Sequence, residues 1–281
     1  MGPATKRQLT EQLVCEQGVP VSRACRLVSL PRSQFYYSSK RDDTDIVDAL
    51  QELAFKHPCY GFRKLFAYLR RSGKGWNHKK VYRVYKLLKL NKKRRGKRRL
   101  PARVKQPLQQ QTRLNSSWSM DFMSDSLVGN RKFRTFNVID DCSREVLAIE
   151  IDTSLTSRRI IRTLERVIEE RGIPKTVRSD NGPEFTSHEF ELWCKDKGIT
   201  LQFIQPGKPM QNGYVERFNR LYREAILDAY LFFDLYQVKQ LTAEWMEEYN
   251  QRRPHEGLNN LTPEEWKYKV CKNEYLQLMT V

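Results

Sequence analysis

Near residue 115 the sequence changes period, and the change divides the chain into two halves that cannot share one architecture. Up to Leu90, apolar residues recur at three and four positions, the spacing of a single helical face. Beyond Asn115, runs rich in β-branched and aromatic residues predict strands at Trp118–Phe122, Phe133–Ile139 and Val146–Ile151. Strands at Thr176–Asp180 and Ile199–Ile204 then alternate with helices over Thr156–Arg171 and Glu184–Lys197, the first of these stopped by Gly172-Ile173-Pro174. A meander followed by alternating strands and helices implies a mixed five-stranded sheet with helices packed on it. Helices over Leu241–Asn250 and Pro263–Val270 complete the chain.

The first half resolves into two small all-α modules. Residues 1–40 predict a helix over 4–17, with Leu9, Leu13 and Val14 on one face, and two short helices carrying Ala24 to Val28 and Gln34 to Tyr37. Tight turns between short helices read as a helix-turn-helix-like DNA-binding module, with a plain helical bundle as the alternative. Residues 45–90 predict a second, basic helical module. Its helices cover Asp45–Phe55, Tyr60–Arg71 and Lys79–Leu90, the last capped by Asn77. Val81, Val84, Tyr85, Leu87 and Leu88 form one face of that last helix, while Lys79, Lys80, Arg83, Lys86 and Lys89 form the other. Residues 91–114 lack apolar periodicity and read as a basic linker containing Lys92, Lys93, Arg94, Arg95, Lys97, Arg98 and Arg99.

Charge is distributed as unevenly as period. The formal charge is +18, yet residues 1–52 carry seven bases and seven acids, and residues 121–281 carry 23 bases and 26 acids. All the excess lies between Leu53 and Met120, which hold 21 Lys/Arg and no Asp or Glu. A solvated surface intersperses signs, so so one-sided a block points to a polyanion, with a generic basic surface as the bland reading. Phosphate contacts by Lys79, Lys80, Arg83 and the run from Lys92 to Arg99 would position DNA and not specify its sequence.

The remaining totals exclude classes of function. No run of eighteen apolar residues predicts a membrane span, and the start of the chain lacks the apolar segment of a signal peptide. Six cysteines without a C-x-x-C pair fit reduced thiols in a cytosolic chain, and suit neither a zinc site nor a disulfide framework.

Three carboxylates carry the candidate chemistry. Asp121 lies inside a predicted strand in W-S-M-D-F, Asp180 ends another in S-D-N-G-P-E-F, and Glu216 follows after thirty-five intervening residues in Q-N-G-Y-V-E-R-F-N-R. A carboxylate at the end of a buried strand is costly unless something compensates it. Arg178 could do so for Asp180 as a plain salt bridge; the sharper reading is a shared Mg²⁺ site, since that ion takes carboxylate and water oxygens. Two ions could clamp the attacking and leaving oxygens of an in-line phosphoryl displacement. Arg220 and Arg223 fall on the helical face of Glu216, where they could grip a phosphate or merely neutralise the acid. Asp140 and Asp141, in D-D-C-S-R, read as solvated turn acids, and Glu184 as a helix-start acid.

These motifs together resemble a known family. W-S-M-D-F, R-S-D-N-G-P-E-F and P-G-K-P-M-Q-N-G-Y-V-E-R-F-N-R are similar to the DDE signature of retroviral-type integrases and transposases, with its thirty-five-residue second spacing. R-A-C-R-L-V-S-L-P-R-S-Q-F-Y-Y, Y-G-F-R-K-L, Y-N-Q-R-R-P-H-E-G-L and L-T-P-E-E-W extend the resemblance, in order, to the catalytic product of insertion sequence 3 family transposases. The resemblance implies an RNase H-like catalytic domain over residues 115–230 and a C-terminal helical extension over 231–281. It also implies that Asp121, Asp180 and Glu216 bind two Mg²⁺ ions, with Mn²⁺ able to substitute, and that Arg223 lies near the transposon end. The implied reaction frees a 3′-OH at terminal inverted repeats and joins it to target DNA, as a homodimer or higher multimer. An upstream reading-frame partner is a further implication. The retroviral His/Cys zinc module has no counterpart in this sequence. An RNase H-like nuclease and a catalytically silent, transposase-derived DNA-binding regulator are the competing readings.

Overall fold

The computed structural model describes residues 2–37, 42–91, 111–205 and 212–279. The chain forms two compact units, residues 1–48 and 49–281. In the first, α1 (Pro3–Cys15), α2 (Val21–Leu27) and α3 (Arg32–Phe35) pack around buried Ala24, Cys25 and Leu30. Lys6 donates to the Ser29 carbonyl at 3.1 Å, tying α1 to the end of α2.

Helix α4 (Thr44–Lys56) runs through the division between the units. Helices α5 (Phe62–Arg71) and α6 (His78–Leu87) follow, burying Leu65 and Leu69 on one and Val81, Val84 and Tyr85 on the other. Asn77 caps α6 as its position predicts, accepting from the Lys79 N–H. Lys79 and Lys80 are exposed on the opposite face. Leu87, expected on the apolar face, is 68% exposed, because the helix ends there and its last turn leaves the packed stripe.

The mixed sheet has the order β3-β2-β1-β4-β5. Strands β1 (Ser117–Ser126), β2 (Lys132–Asp140) and β3 (Val146–Asp152) form the antiparallel meander, and β4 (Thr176–Ser179) and β5 (Thr200–Phe203) add in parallel beside β1. The crossovers are α7 (Ser157–Arg171) and α8 (His188–Asp196). Alternation along each strand sends apolar residues to both faces. Trp118, Met120, Phe136, Val138 and Val177 pack with Ile160 and Leu164 of α7 and Phe190 of α8. Met123, Phe133, Ile139 and Ile151 pack on the other face with Val215, Phe218 and Tyr222 of α9 (Gly213–Tyr222) and Val238, Trp245 and Tyr249 of α10 (Leu235–Gln251). This is the expected architecture, helical modules followed by an RNase H-like core, with α11 (Pro263–Met279) closing the chain.

Two helix starts moved by four or more residues. The helix expected from Glu184 starts at His188, where the Ser187 side chain accepts from the Phe190 N–H. The helix expected from Leu241 starts six residues earlier, capped by Asp234, which accepts from Gln237 N–H at 2.8 Å. A single π-helical turn, Arg223–Leu227, continues α9. The α5–α6 segment and the sheet belong to one unit: Tyr68 of α5 donates to Glu248 of α10 at 3.1 Å, and Arg71 pairs with Glu265.

Candidate active site

Strand register brings the first two acids together. β1 and β4 run parallel with Ser119 opposite Arg178, so two residues on, Asp121 and Asp180 leave adjacent strands on the same face. Neighbouring strands lie about 4.8 Å apart, which sets the scale of their separation. The third acid comes from α9, whose first turn carries Glu216. Asn212, just before that helix, donates to the Met120 carbonyl at 3.1 Å and pins the helix start to β1 beside Asp121. One turn after Glu216, Asn219 donates to Asp121 Oδ2 at 2.8 Å.

The acids feel one another. The Asp121 carboxyl is pushed up to about 6, first by burial and further by the charges of Asp180 and Glu216, while the Phe122 N–H and Asn219 oppose the rise. Glu216 is raised by burial and pulled back by Arg220. Asp121 and Asp180 are half-buried and Glu216 is exposed, so the three stand on an open rim. Among the described residues, no three His, Cys, Asp or Glu side chains are already gathered closely enough to hold a metal ion. The donor set itself, three carboxylates offering hard oxygen ligands, is one that suits Mg²⁺.

Each acid is held locally. Asp121 Oδ1 accepts from the Phe122 N–H at 2.9 Å. Asp180 Oδ1 accepts from the Gly182 N–H at 3.1 Å, and a Cβ on Gly182 would sit 3.1 Å from that same oxygen. Gly182 therefore lets the loop close on Asp180. Asn219, which the sequence reading did not single out, is the largest omission. Its side chain is fixed by Asn137, whose Nδ2 donates to Asn219 Oδ1 at 2.7 Å, and Asn137 lies directly opposite Asp121 on β2. Its position three residues after Glu216, on the same helical face, was the available signal.

Other expectations resolve differently. Asp140 and Asp141 are not solvated turn acids: they are 2% and 0% exposed. Asp140 Oδ1 accepts from the N–H groups of Cys142 and Ser143, and its Oδ2 from the Asn115 N–H. Asp141 accepts from the hydroxyls of Ser117 and Ser119 and pairs with Arg178 at 3.2 Å. Arg178 thus pairs with Asp141, and among the described residues no ion pair joins it to Asp180. Glu184 pairs with Arg134, so its role is structural although it does not start a helix. Arg223 lies against the end of β1, donating to the Ser124 carbonyl at 2.9 Å and to Asp125 at 3.2 Å, with Asp228 at 3.7 Å. Arg220 stays exposed beside Glu216. The expected DNA contacts Lys92, Lys93, Arg94, Arg95, Lys97, Arg98 and Arg99 lie outside the described residues. No helix among the described residues is long and apolar enough to cross a membrane.

Comparisons with known proteins place this geometry in context. Two integrase core domain models match residues 111–209 and 197–263, and an HTH-like domain model matches residues 40–98, the stretch of the second helical module. The chain is 39% identical to the uncharacterized 31.7 kDa protein of insertion element IS407 from Burkholderia multivorans, covering 88% of this chain and 90% of that protein. It is 36% identical to the uncharacterized 39.2 kDa protein of insertion element IS476 from Xanthomonas euvesicatoria, over 94% of this chain and 77% of the relative. It is 24% identical to transposase InsD of insertion element IS2D from Escherichia coli, over 89% of each chain.

Proposed function

The chain belongs to the insertion sequence 3 family of transposases within the integrase-core superfamily, and on that premise we propose that it frees a 3′-OH at its element's terminal inverted repeats and joins it to target DNA. The observation that carries this reading is that half-buried Asp121, from a strand interior, faces two further acids, one from a strand end and one from a helix start. Burial first, and then the charges of Asp180 and Glu216, raise its carboxyl to about 6. A half-buried acid with acidic neighbours at an open rim is the kind of environment that functional sites favour.

Asp121, Asp180 and Glu216 would hold two Mg²⁺ ions, with Mn²⁺ as a substitute. When bound, such ions neutralise the charge of a phosphodiester and activate the attacking oxygen. The chain's own residues do the positioning. Asn219, held by Asn137, aims the Asp121 carboxylate, and the Gly182 N–H aims that of Asp180. Asn212 fixes the depth at which α9 presents Glu216. Arg220, exposed beside Glu216, is placed to meet a phosphate on that rim. Lys79, Lys80 and Arg83 on α6 would track duplex backbone, and the protein would act on paired ends as a homodimer or higher multimer.

A strand-transfer assay with Mg²⁺ and DNA carrying the element's ends tests this reading. Joined products are the expected result. Degradation of an RNA–DNA hybrid without joining would indicate a nuclease, and end binding without cleavage would indicate a regulator.

A further inference from the structure

Away from the acidic rim, the larger unit contains a cleft of about 620 Å³ between the start of α5, α6 and the π turn after α9. Its walls include Tyr60, Phe62, Lys64, Tyr82, Glu224 and Arg253. Arg253 is only 2% exposed, and its Nε has no hydrogen-bond partner. Among the described residues no carboxylate lies within ion-pair distance of its guanidinium. It stacks over the Tyr60 ring at 4.8 Å and donates to the Tyr60 hydroxyl at 3.1 Å. Lys64 lies over the same ring at 5.2 Å. A buried guanidinium that has aromatic partners and no anion is costly to maintain.

Two neighbours report the resulting positive potential. Lys64 is lowered to about 8 and His255 to about 3, each by burial first and then by Arg253. Glu224 and Glu256 raise Lys64 only partly back. The first turn of α5 opens on the same cleft through Gly61, Phe62 and Arg63. That ten-residue helix has no side-chain cap, so its leading N–H groups add a second set of anion donors. On the lip, Tyr82 is 40% exposed, with Phe62 edge-on at 4.7 Å and the Lys86 ammonium over the ring at 5.0 Å, a mobile side chain that a base would displace. A cationic floor beside an accessible ring is the chemistry of single-strand recognition, phosphate below and base stacked above.

We infer that this cleft binds an unpaired nucleotide of a DNA strand, its phosphate received by Arg253, Lys64 and the start of α5, and its base stacked on Tyr82. The inference deepens the transposase reading by naming a second DNA contact outside the acidic rim, and it rests on that reading only for the origin of the strand. The cleft contains its own reporter: Cys59 lines it and donates its thiol hydrogen to the Glu224 carbonyl at 3.0 Å.

The experiment uses the full chain in EDTA, where no strand transfer occurs. Alkylation of Cys59 by N-ethylmaleimide is followed by mass spectrometry with an eight-nucleotide oligothymidylate, with a blunt duplex, or with no DNA. The expected result is at least fivefold slower alkylation with the single strand, and less protection by the duplex. Tyr82→Ala should weaken that protection about tenfold in oligonucleotide concentration, a loss within the range for one stacked base, and Lys64→Gln should weaken it and flatten its salt dependence by about one counterion. Thermal melting verifies that both variants fold, and Asp180→Asn should protect Cys59 as the native chain does. Equal alkylation with and without the single strand would overturn the inference, as would protection that survives both substitutions or is no better than the duplex gives. Because the assay is free of metal, failed strand transfer with intact protection would count against the transposase chemistry alone, and the reverse outcome against the cleft alone.

Discussion

Ser119 and Asp121 lie two residues apart on one face of β1, and the carboxylates beside them are treated in opposite ways. At the Ser119 end, Asp141 is fully buried, accepts from two serine hydroxyls and faces Arg178. Burial still raises it, but every other influence on it pulls down. At the Asp121 end, burial and two neighbouring acids push the same way, and only an amide and one backbone N–H resist. The first arrangement is compensated internally and holds the sheet to its turn. The second is left for something outside the chain to compensate. The difference separates a structural acid from a working one more reliably than sequence context does.

If that contrast is sound, substitutions at the two ends should separate activity from stability. The largest expected effect is on activity: Asp180→Asn should lower strand joining at least about a thousandfold, a loss of roughly 4 kcal/mol in transition-state stabilisation. End binding in a gel-shift assay should remain. Joining at the native rate would remove Asp180 from the site. Next, Asp141→Ala removes the acceptor of both serine hydroxyls and the charge opposite Arg178, and should cost about 3 kcal/mol in urea unfolding. A cost below 1 kcal/mol would mean the compensated end is not structural.

Asp121→Asn should do the reverse, abolishing joining while stabilising the metal-free protein by about 1–3 kcal/mol at pH 7.5. The sign follows from the direction of the shift. The folded carboxyl titrates near 6 and the unfolded one near 3.8, so the folded state binds the proton more tightly. The penalty is fully present above pH 6, shrinks as pH falls through 6, and is gone below about 3.8. The advantage of the variant over the native chain should therefore vanish by pH 4, and a difference that stays constant across that range would contradict the assignment. The smallest effect concerns the basic face: Lys79→Glu with Lys80→Glu should flatten the salt dependence of duplex binding by about two counterions. An unchanged slope would mean that α6 does not touch phosphate.

Much of this was legible in the sequence because local pattern and tertiary environment agreed. The five strands, the crossover helices and the Asn77 cap follow from period and capping chemistry. The three candidate acids were chosen from motif spacing, and the β1–β4 register, extended two residues past Ser119 and Arg178, brings Asp121 and Asp180 to neighbouring chain segments. Asp140 and Asp141 were misread because D-D-C-S-R looks like a turn, and it is one. Its burial comes from β1 serines more than twenty positions away, which no local window registers. The start of α10 carried a signal that went unused: Asp234 and Gln237 stand at capping spacing, and the Gln237 side chain also accepts from the Phe233 N–H. Asn219 had only its spacing from Glu216 to mark it, and Asn137 had no mark at all. That the two amides aim a carboxylate shows once the helix and the strand are seen to touch.

The central claim is that the three rim acids act together as a cation site. Mn²⁺ binding to the full chain with DNA carrying the element's ends, followed by paramagnetic resonance, tests it most directly. Saturable binding that weakens at least tenfold in each of Asp121→Asn, Asp180→Asn and Glu216→Gln is the predicted result. Binding that is unchanged in any one of the three would contradict it.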